Sequence, residues 1–269
     1  MNLILESRHI LLVSPNLKDP NTIVTALQPV IKKYQIDQTP ERLGMFLAQI
    51  GHESDFVCQS ENLNYSAQRL CQVWPRRFPT IESARPYANN PQALANKVYN
   101  GRMGNEIGSN QGFLYRGRGL LQLTGRDAYR AYGRQIGVDL EGNPGLALQL
   151  PVACLIAGAF WDDRGLNRRA DAGDLIAVTQ AINGGQNGAD DRLARYRRII
   201  GTLREQAAAL ASQEELVHPP VRPTRLFVNG VEVDLGAATI QGDTITLASG
   251  THRISKRNQV GEKLYVQTA

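Results

Sequence analysis

The chain lacks any hydrophobic run long enough to span a membrane, and aromatic residues make up only 6% of its 269 positions. A spanning helix needs about 20 apolar residues in a row, so none is expected. The N-terminus has a short apolar start but no basic lead and no convincing cleavage site, which argues against a secretory signal. We therefore expect synthesis in the cytoplasm, with delivery by another system if the protein acts beyond the membrane.

Cysteine is also scarce, and Cys58, Cys71 and Cys154 show no metal-binding spacing. An odd number of cysteines in a chain without a signal indicates reduced, mostly buried thiols, although Cys58 and Cys71 could be neighbours in space. The chain also has no ribonucleoprotein aromatics, zinc-finger spacing or basic zipper. We expect neither a metal nor an organic cofactor, and no nucleic-acid partner.

The charge balance is basic, with a formal net charge of +5 and a pI of about 9.2. Such a surface favours anionic partners, among them nucleic acid, anionic lipid and acidic cell-wall polymers. Basic clusters occur at Arg76-Arg77, at Arg168-Arg169 and from Arg195 to Arg198. Ordinary solvated helix faces are the alternative explanation of these clusters.

Helix signals dominate the first 211 residues, and 42% hydrophobic content suffices for one sizeable core plus a small appendage. A typical start is Thr39-Pro40-Glu41, where a capping residue precedes a proline and an acid. Residues 1–20 are expected to be irregular or strand-like. The predicted helices cover about 21–34, 40–53, 66–74, 91–99, 126–136, 151–163, 173–183 and 189–211.

The pattern changes after residue 211. Residues 212–224 contain His218-Pro219-Pro220, which is typical of a stiffened linker. Beyond it the apolar period becomes alternating, and Asn229-Gly230 predicts a hairpin turn. A second hairpin is expected around Gly242-Asp243, and a possible last strand at 263–266. We therefore predict a mainly α domain at 1–211, a linker at 212–224 and a small all-β unit at 225–269.

Glu53 extends an apolar helical stripe, where a carboxylate is unexpected. The stripe consists of Leu43, Phe46, Leu47 and Ile50. A carboxylate that borders a core loses solvation, which favours its protonated form and suits a general acid. Glu61 follows eight residues later, and two carboxylates in different surroundings suggest glycoside hydrolysis. An ordinary surface glutamate on a helix is the alternative.

Two further segments carry polar residues beside glycines. In the segment 115–125, Gln122 and Thr124 would point to one side of an extended stretch and could hold a water or a sugar hydroxyl. A tight structural turn explains the same glycines. Asn183, followed by two glycines, suits a helix C-cap, or it binds substrate while Arg192 steers a carboxylate.

Taken together, these pieces resemble glycoside hydrolase family 19, which includes plant-type chitinases, phage endolysins and bacterial muramidases. The resemblance covers about residues 22–205. It rests on motifs in matching order, namely His52-Glu53-Ser54, Glu61-Asn62-Leu63-Asn64-Tyr65, the segment 115–124, and Ile182-Asn183-Gly184-Gly185 with Asp191-Arg192. It implies a lysozyme-like, two-lobed helical fold with a catalytic cleft, and inverting hydrolysis of a β-1,4 bond next to an N-acetylated sugar.

The resemblance also assigns roles to residues. Glu53 matches the general acid and Glu61 the general base, which in an inverting enzyme lie about 6.5–9.5 Å apart. Arg192 matches an arginine that supports the acidic centre, and Thr124 a hydroxyl that helps to hold the attacking water. The positions expected to contact substrate or water are Gln122, Thr124, Tyr115, Asn64, Tyr65, Asn183 and Arg192.

The chain departs from the family pattern in two places. The endolysin pattern usually reads His-Glu-Ser-Gly-Gly-Phe, whereas this chain has His52-Glu53-Ser54-Asp55-Phe56. The shorter loop brings the charge of Asp55 close to Glu53 if that side chain points inward, and it bears on the placement of Glu61. Ala128 also stands where the family often has an asparagine, so one substrate contact is expected to be absent.

The expected function is hydrolysis of peptidoglycan glycan strands by a muramidase of the phage-lysis type, acting in the periplasm after release or export. The alternatives are a chitinase, an exported antibacterial wall-degrading toxin, and a cell-wall-binding protein that has lost catalysis. The β unit at 225–269 would either stabilise or oligomerise the protein, or bind the wall or a delivery apparatus.

Overall fold

The computed structural model describes residues 2–217, 224–260 and 262–268, and the side chains of all of these except 214–217. The chain divides into two units, Met1–Ala209 and Leu210–Ala269. The mainly α prediction with a separate β unit is confirmed. The helices are α1 Ser7–Val13, α2 Pro20–Lys33, α3 Pro40–Ser54, α4 Ala67–Val73, α5 Ile81–Ala84, α6 Pro91–Tyr99, α7 Gln111–Leu114, α8 Arg126–Ile136, α9 Leu150–Asp163, α10 Leu166–Asp171, α11 Leu175–Asn183 and α12 Ala189–Val217.

Side-chain caps explain where several of these helices begin. The Thr39 hydroxyl accepts a hydrogen bond from the Arg42 amide at 3.2 Å, which satisfies a free donor of the first turn of α3. Ser66 caps α4 and Asn90 caps α6 in the same way. Because a cap depends on residues only three apart, these starts were predictable within one or two positions.

Helices α5, α7 and α10 were not predicted, and the structure also differs from the predictions at both ends of the first unit. Residues 7–13 form α1 rather than irregular structure, since Ile10 and Val13 pack into the core and a helix places both on its inner side. Helix α12 continues through Val217 instead of ending near residue 211, because alanine and glutamate favour the helical state. Residues 218–223 of the predicted linker, including the prolines that follow His218, lie outside the described residues.

The core of the first unit is built around α3, whose residues from Leu43 to Gly51 are all buried. The Phe46 ring meets the Trp161 ring edge-on, with centroids 5.3 Å apart. Helices α2 and α9 approach closely because residue 158 is a glycine. A Cβ at Gly158 would lie 2.5 Å from Val30 Cγ1 and from a ring carbon of Tyr34.

A second, smaller core lies between α4 and α6. Its buried members are Leu63, Leu70, Phe78, Ala84, Leu94, Ala95 and Val98. The rings of Tyr65 and Trp74 pack on it edge to face. This cluster supports the segment that follows Glu61.

Two short strands join distant parts of the first unit. Strand β1 (Gln59–Ser60) pairs antiparallel with β2 (Arg118–Gly119).

All three cysteines are free thiols, and burial raises the pKa of Cys58 to about 11. Cys71 packs against the second core.

The second unit contains a sheet with the strand order β4-β3-β8-β7-β6-β5 among its described residues. The strands are β3 Arg225–Val228, β4 Val231–Val233, β5 Thr239–Gln241, β6 Thr244–Leu247, β7 Gly250–Val260 and β8 Lys263–Thr268. Asn229 and Gly230 form the first hairpin turn with φ values of 50° and 83°, as their sequence predicts. Strand β7 was not predicted because most of its residues are polar and exposed.

The buried face of this sheet is apolar. Leu226, Val228, Ile245, Leu264 and Val266 form its core. Strand β3 lies parallel to β8, with Leu226 opposite Leu264. None of the helices described in either unit combines the length and hydropathy that a membrane crossing requires.

The close approach of α2 and α9 makes a stability prediction. Replacing Gly158 by alanine should lower the free energy of unfolding by about 1–3 kcal/mol, because the new methyl group overpacks Val30 and Tyr34. Gly201 is the matched control, since it also lies inside a helix but nothing lies within 4 Å of its Cβ position. Gly201→Ala should stabilise by about 0.5–1 kcal/mol. Urea denaturation of both variants measures the difference, and equal effects would refute the packing explanation.

Candidate functional site

Glu53 lies at the rim of the core, near the end of α3. The stripe residues Leu43, Phe46, Leu47 and Ile50 are at most 1% exposed. One step further along the same face, the Glu53 side chain is 25% exposed and lines a cleft. The apolar stripe therefore delivers this carboxylate to the border between core and solvent, as the sequence predicts.

A buried arginine holds the carboxylate. Arg192, on α12, is 1% exposed, and its Nη2 donates a hydrogen bond to Glu53 Oε1. Its Nη1 donates to Gln49 Oε1, and the Gln49 amide nitrogen donates to the Thr179 hydroxyl at 3.1 Å. Helices α3, α11 and α12 thus share one buried polar chain that orients Glu53.

Asp55 points away from Glu53. It ends α3 in the left-handed conformation with a φ of 47°, and its amide donates to the Gly51 carbonyl at 2.9 Å. Its carboxylate accepts hydrogen bonds from the Ser14 hydroxyl at 2.9 Å and from Arg195 Nη1 at 2.6 Å. For its charge to act on Glu53, Asp55 would have to point inward. Its carboxylate is paired with Arg195 instead, so this condition is not met.

His52 and Asp191 form a second polar contact beside this chain. His52 Nδ1 lies 2.7 Å from Asp191 Oδ2, and the same oxygen accepts a hydrogen bond from Arg195 Nε at 2.7 Å. Gly188 packs against the His52 ring so closely that a Cβ there would lie 2.2 Å from two ring atoms. The loop before α12 is therefore held against the end of α3.

Glu61 is positioned by the strand pair and by a tyrosine. Its amide donates to the Gly117 carbonyl at 2.8 Å, which continues the β1–β2 pairing by one residue. The Tyr99 hydroxyl donates to Glu61 Oε1 at 2.7 Å. Burial, and then the hydrogen bond to Glu61, raise the pKa of Tyr99 well above its usual range, so this phenol keeps its proton and remains a donor. Tyr99 was not among the site residues predicted from the sequence, where it is only the last residue of a short predicted helix.

Gln122 and Thr124 lie next to Glu61. A Cβ at Gly117 would be 2.8 Å from Gln122 Oε1, 3.2 Å from Thr124 Oγ1 and 3.3 Å from Glu61 Cβ, so three candidate side chains meet at this glycine. The backbone here is a tight turn rather than the extended stretch considered from the sequence, because Gln122 has a φ of 51°. Because the chain folds back in this turn, the Gln122 and Thr124 side chains both lie beside Gly117.

The cleft has a volume of about 310 Å³. Its lining includes Glu53, Gln122, Thr124 and Asn183 among the predicted residues, together with Leu121, Leu123, Ala128, Tyr132, Ile156, Phe160, Arg164 and Ile182. Because Gln122 and Thr124 border both this cleft and Glu61, they connect the surroundings of the two carboxylates. Ala128 forms part of the wall and offers no polar group where the family often has an asparagine.

Asn183 serves the backbone as well as lining the cleft. It ends α11, and Gly184 follows in the left-handed conformation with a φ of 75°. Its amide nitrogen donates to the Asn187 carbonyl at 2.7 Å, and its Oδ1 accepts from the Gly185 amide at 2.8 Å. The Asn183 side chain therefore holds the loop after α11 by hydrogen bonds, and it also lines the cleft where it was expected to contact a substrate.

Three other predicted contacts lie elsewhere. Tyr115 is 5% exposed, donates its hydroxyl to the Glu141 carbonyl at 3.0 Å and does not line the cleft. Tyr65 stacks edge-on against Trp74 and supports the second core. Asn64 is exposed on the loop after Glu61 and does not line the cleft. Among the described residues, no group of three His, Cys, Asp or Glu side chains could hold a metal ion.

Comparisons with known proteins bear on the family. No family model matches the chain. A glycosyl hydrolase family 19 domain-containing protein from Haemophilus influenzae is 41% identical over 160 residues, which cover 59% of this chain and 78% of that protein. Chitinase 8 from Oryza sativa subsp. japonica is 34% identical over 116 residues, covering 33% of this chain and 44% of that protein. The crystal structure of chitinase C from Streptomyces griseus HUT6037 aligns at 18% identity over 74% of this chain and 77% of its own, with a TM-score of 0.47, which is too loose to add to these matches.

Two ion pairs between α3 and α12 allow a controlled test of burial. The Arg192 side chain, paired with Glu53, is 2% exposed, whereas that of Arg204, paired with Glu41, is 61% exposed. Arg192→Met should lower the free energy of unfolding by about 3 kcal/mol, because it leaves the partners of a buried cation without their donor. Arg204→Met should have a much smaller effect, because solvent screens an exposed ion pair. Chemical denaturation followed by circular dichroism measures both, and a cost for Arg192→Met no greater than for Arg204→Met would contradict the buried role.

Proposed function

The chain belongs to glycosyl hydrolase family 19, and on this premise we propose that it hydrolyses β-1,4 bonds in the glycan strands of peptidoglycan. It is a glycoside hydrolase, and the proposal concerns its substrate and its mechanism. The observation that carries the mechanism is the arrangement of two carboxylates with different partners, Glu53 on a buried arginine and Glu61 on a tyrosine hydroxyl.

In the proposed mechanism Glu53 is the general acid. It takes up a proton from solvent and delivers it to the glycosidic oxygen of the leaving sugar while the bond to the anomeric carbon breaks. Arg192 engages Oε1, so Oε2 is the oxygen that would face the leaving group from the cleft. Arg192 fixes the orientation of this carboxyl group, since it is itself buried and held by Gln49.

Glu61 is the proposed general base. Its Oε1 is occupied by the Tyr99 hydroxyl, whereas Oε2 makes only a 3.4 Å contact to the Gly117 amide among the described residues. That contact exceeds the usual range of 2.7–3.2 Å for such a bond. Oε2 is therefore the oxygen suited to take a proton from the attacking water, and the nearby Thr124 hydroxyl supplies a second partner for that water.

The net charge of +5 supports an anionic polymer as the substrate. Peptidoglycan carries carboxylates on its peptide stems, and on its lactyl groups where the stem has been removed, whereas chitin is neutral. Chitin is the second candidate, and the similarity to a rice protein named chitinase favours it. The two candidates share the β-1,4 bond and the N-acetylated sugar, so the chemistry above applies to both.

The substrate and the stereochemistry can be tested together. The purified protein should release reducing ends from peptidoglycan faster than from chitin, because the basic protein attracts the anionic polymer. Proton NMR during the first turnovers should show the α-anomer at the new reducing end, since a single displacement inverts a β bond. Release from chitin alone would establish the chitinase alternative, and early β-anomer would exclude the inverting mechanism.

The two catalytic assignments call for separate variants. Glu53→Gln and Glu61→Gln should each lower kcat by about 10²–10⁴-fold, the usual contribution of a general acid or base. Asp55→Asn is the matched control, since this nearby carboxylate is directed to Arg195 and Ser14. It should keep kcat within about threefold of wild type, given the small energy of an exposed ion pair. Unchanged turnover in Glu53→Gln, with melting temperatures recorded for every variant, would remove Glu53 from the mechanism.

A further inference from the structure

Three stacked side chains form part of the cleft wall, and the proposed acid and base mechanism gives none of them a role. Tyr132 on α8 and Phe160 on α9 have ring centroids 6.2 Å apart at an interplanar angle of 25°. The Arg164 guanidinium carbon lies 3.4 Å from the centroid of the Phe160 ring. All three line the cleft that Glu53 also borders.

The hydrogen bonds of Arg164 leave one edge of its guanidinium unengaged. Nε donates to the Ala181 carbonyl at 3.2 Å, and Nη1 donates to the Tyr132 hydroxyl at 2.7 Å. Nη1 also contacts Asp163 at 3.4 Å, but this carboxylate is 58% exposed and the contact is long, so the pair is weak. Nη2 donates to no acceptor in the part of the chain that the structure describes.

Arg164 is also the positively charged residue of this cleft. Among the residues that line it, only Glu53 and Arg164 are charged, and Glu53 is already paired with Arg192. The Arg164 side chain is 34% exposed, and stacking on Phe160 holds its plane in place. The cleft therefore presents an oriented cation with a free donor edge.

We propose that Arg164 binds a carboxylate of the substrate and selects peptidoglycan over neutral chitin. A fixed guanidinium donates well to carboxylates, and these occur on the branches of the muramyl sugar but not on chitin. This assignment rests on the proposed function and adds a specificity residue to the same cleft. The carboxylate belongs either to the lactyl group, once the peptide has been removed, or to the peptide stem.

The test compares three substrates and three variants of the full chain. The substrates are intact peptidoglycan, glycan strands stripped of peptide by an amidase, and chitin oligosaccharides. Arg164→Gln should raise KM for the anionic strands about tenfold and leave kcat and the melting temperature near wild type, because a charge-assisted bond is lost only in binding. KM for the chitin oligosaccharides, or their Kd if turnover is slow, should stay unchanged.

Two further variants separate a specific contact from general charge and from packing. Arg168→Gln removes one exposed positive charge from α10 outside the cleft lining and should leave KM near wild type. Arg164→Lys keeps the charge and should recover part of the affinity for the anionic strands. A loss with intact peptidoglycan alone points to the stem carboxylate, and a loss with the stripped strands alone points to the lactyl carboxylate, which is free only in those strands.

The outcomes separate this assignment from the function on which it rests. Wild-type turnover on peptidoglycan together with an unchanged KM in Arg164→Gln would overturn the role of Arg164 alone. Equal losses on chitin and peptidoglycan, or equal losses in Arg168→Gln, would do the same by revealing packing or general charge. If the wild type turns over neither form of peptidoglycan, the proposed function fails and this assignment fails with it.

Discussion

The ion pair between Arg192 and Glu53 lies where α3 meets the start of α12, and the arrangement of the cleft depends on it. A guanidinium that is almost fully buried needs a counter-charge, because an isolated cation in a core is very unfavourable. Glu53 supplies the charge, while Gln49 and Thr179 complete the chain of hydrogen bonds. Three helices must therefore dock together before the proposed acid acquires its orientation, which ties the chemistry of the site to the stability of the core.

The second carboxylate, that of Glu61, is held by different contacts. Glu61 follows a two-residue strand and is fixed by its backbone to Gly117, with Tyr99 on one oxygen. Only glycine at position 117 allows Glu61, Gln122 and Thr124 to approach so closely. The proposed acid thus depends on a buried charge and the proposed base on a close backbone contact, so different parts of the fold hold the two groups.

Much of this was predictable because the signals are local. The stripe on α3 identified Glu53, capping residues located the starts of α3 and α4, and Pro91 located the start of α6. The parts that were missed have no local signal. Tyr99 is an ordinary helix-end residue until Glu61 accepts its hydrogen bond, and β7 is too polar to show the alternation of a strand. Tyr115 carried a motif signal but is used for packing, since its ring lies against Tyr129 in the core.

By itself, the sequence determined the helical character of the first unit, the position of Glu53 at the edge of an apolar face, and the Asn229-Gly230 turn of the β unit. Each of these depends on residues a few positions apart, whose spacing and backbone preferences act before the chain is folded. The tertiary structure alone decided which partner each carboxylate has, where Asp55 points, and that β3 pairs in parallel with β8. Arg192 and Glu53 are 139 positions apart, so only the packing of the folded core, with its requirement that a buried charge be paired, brings them together.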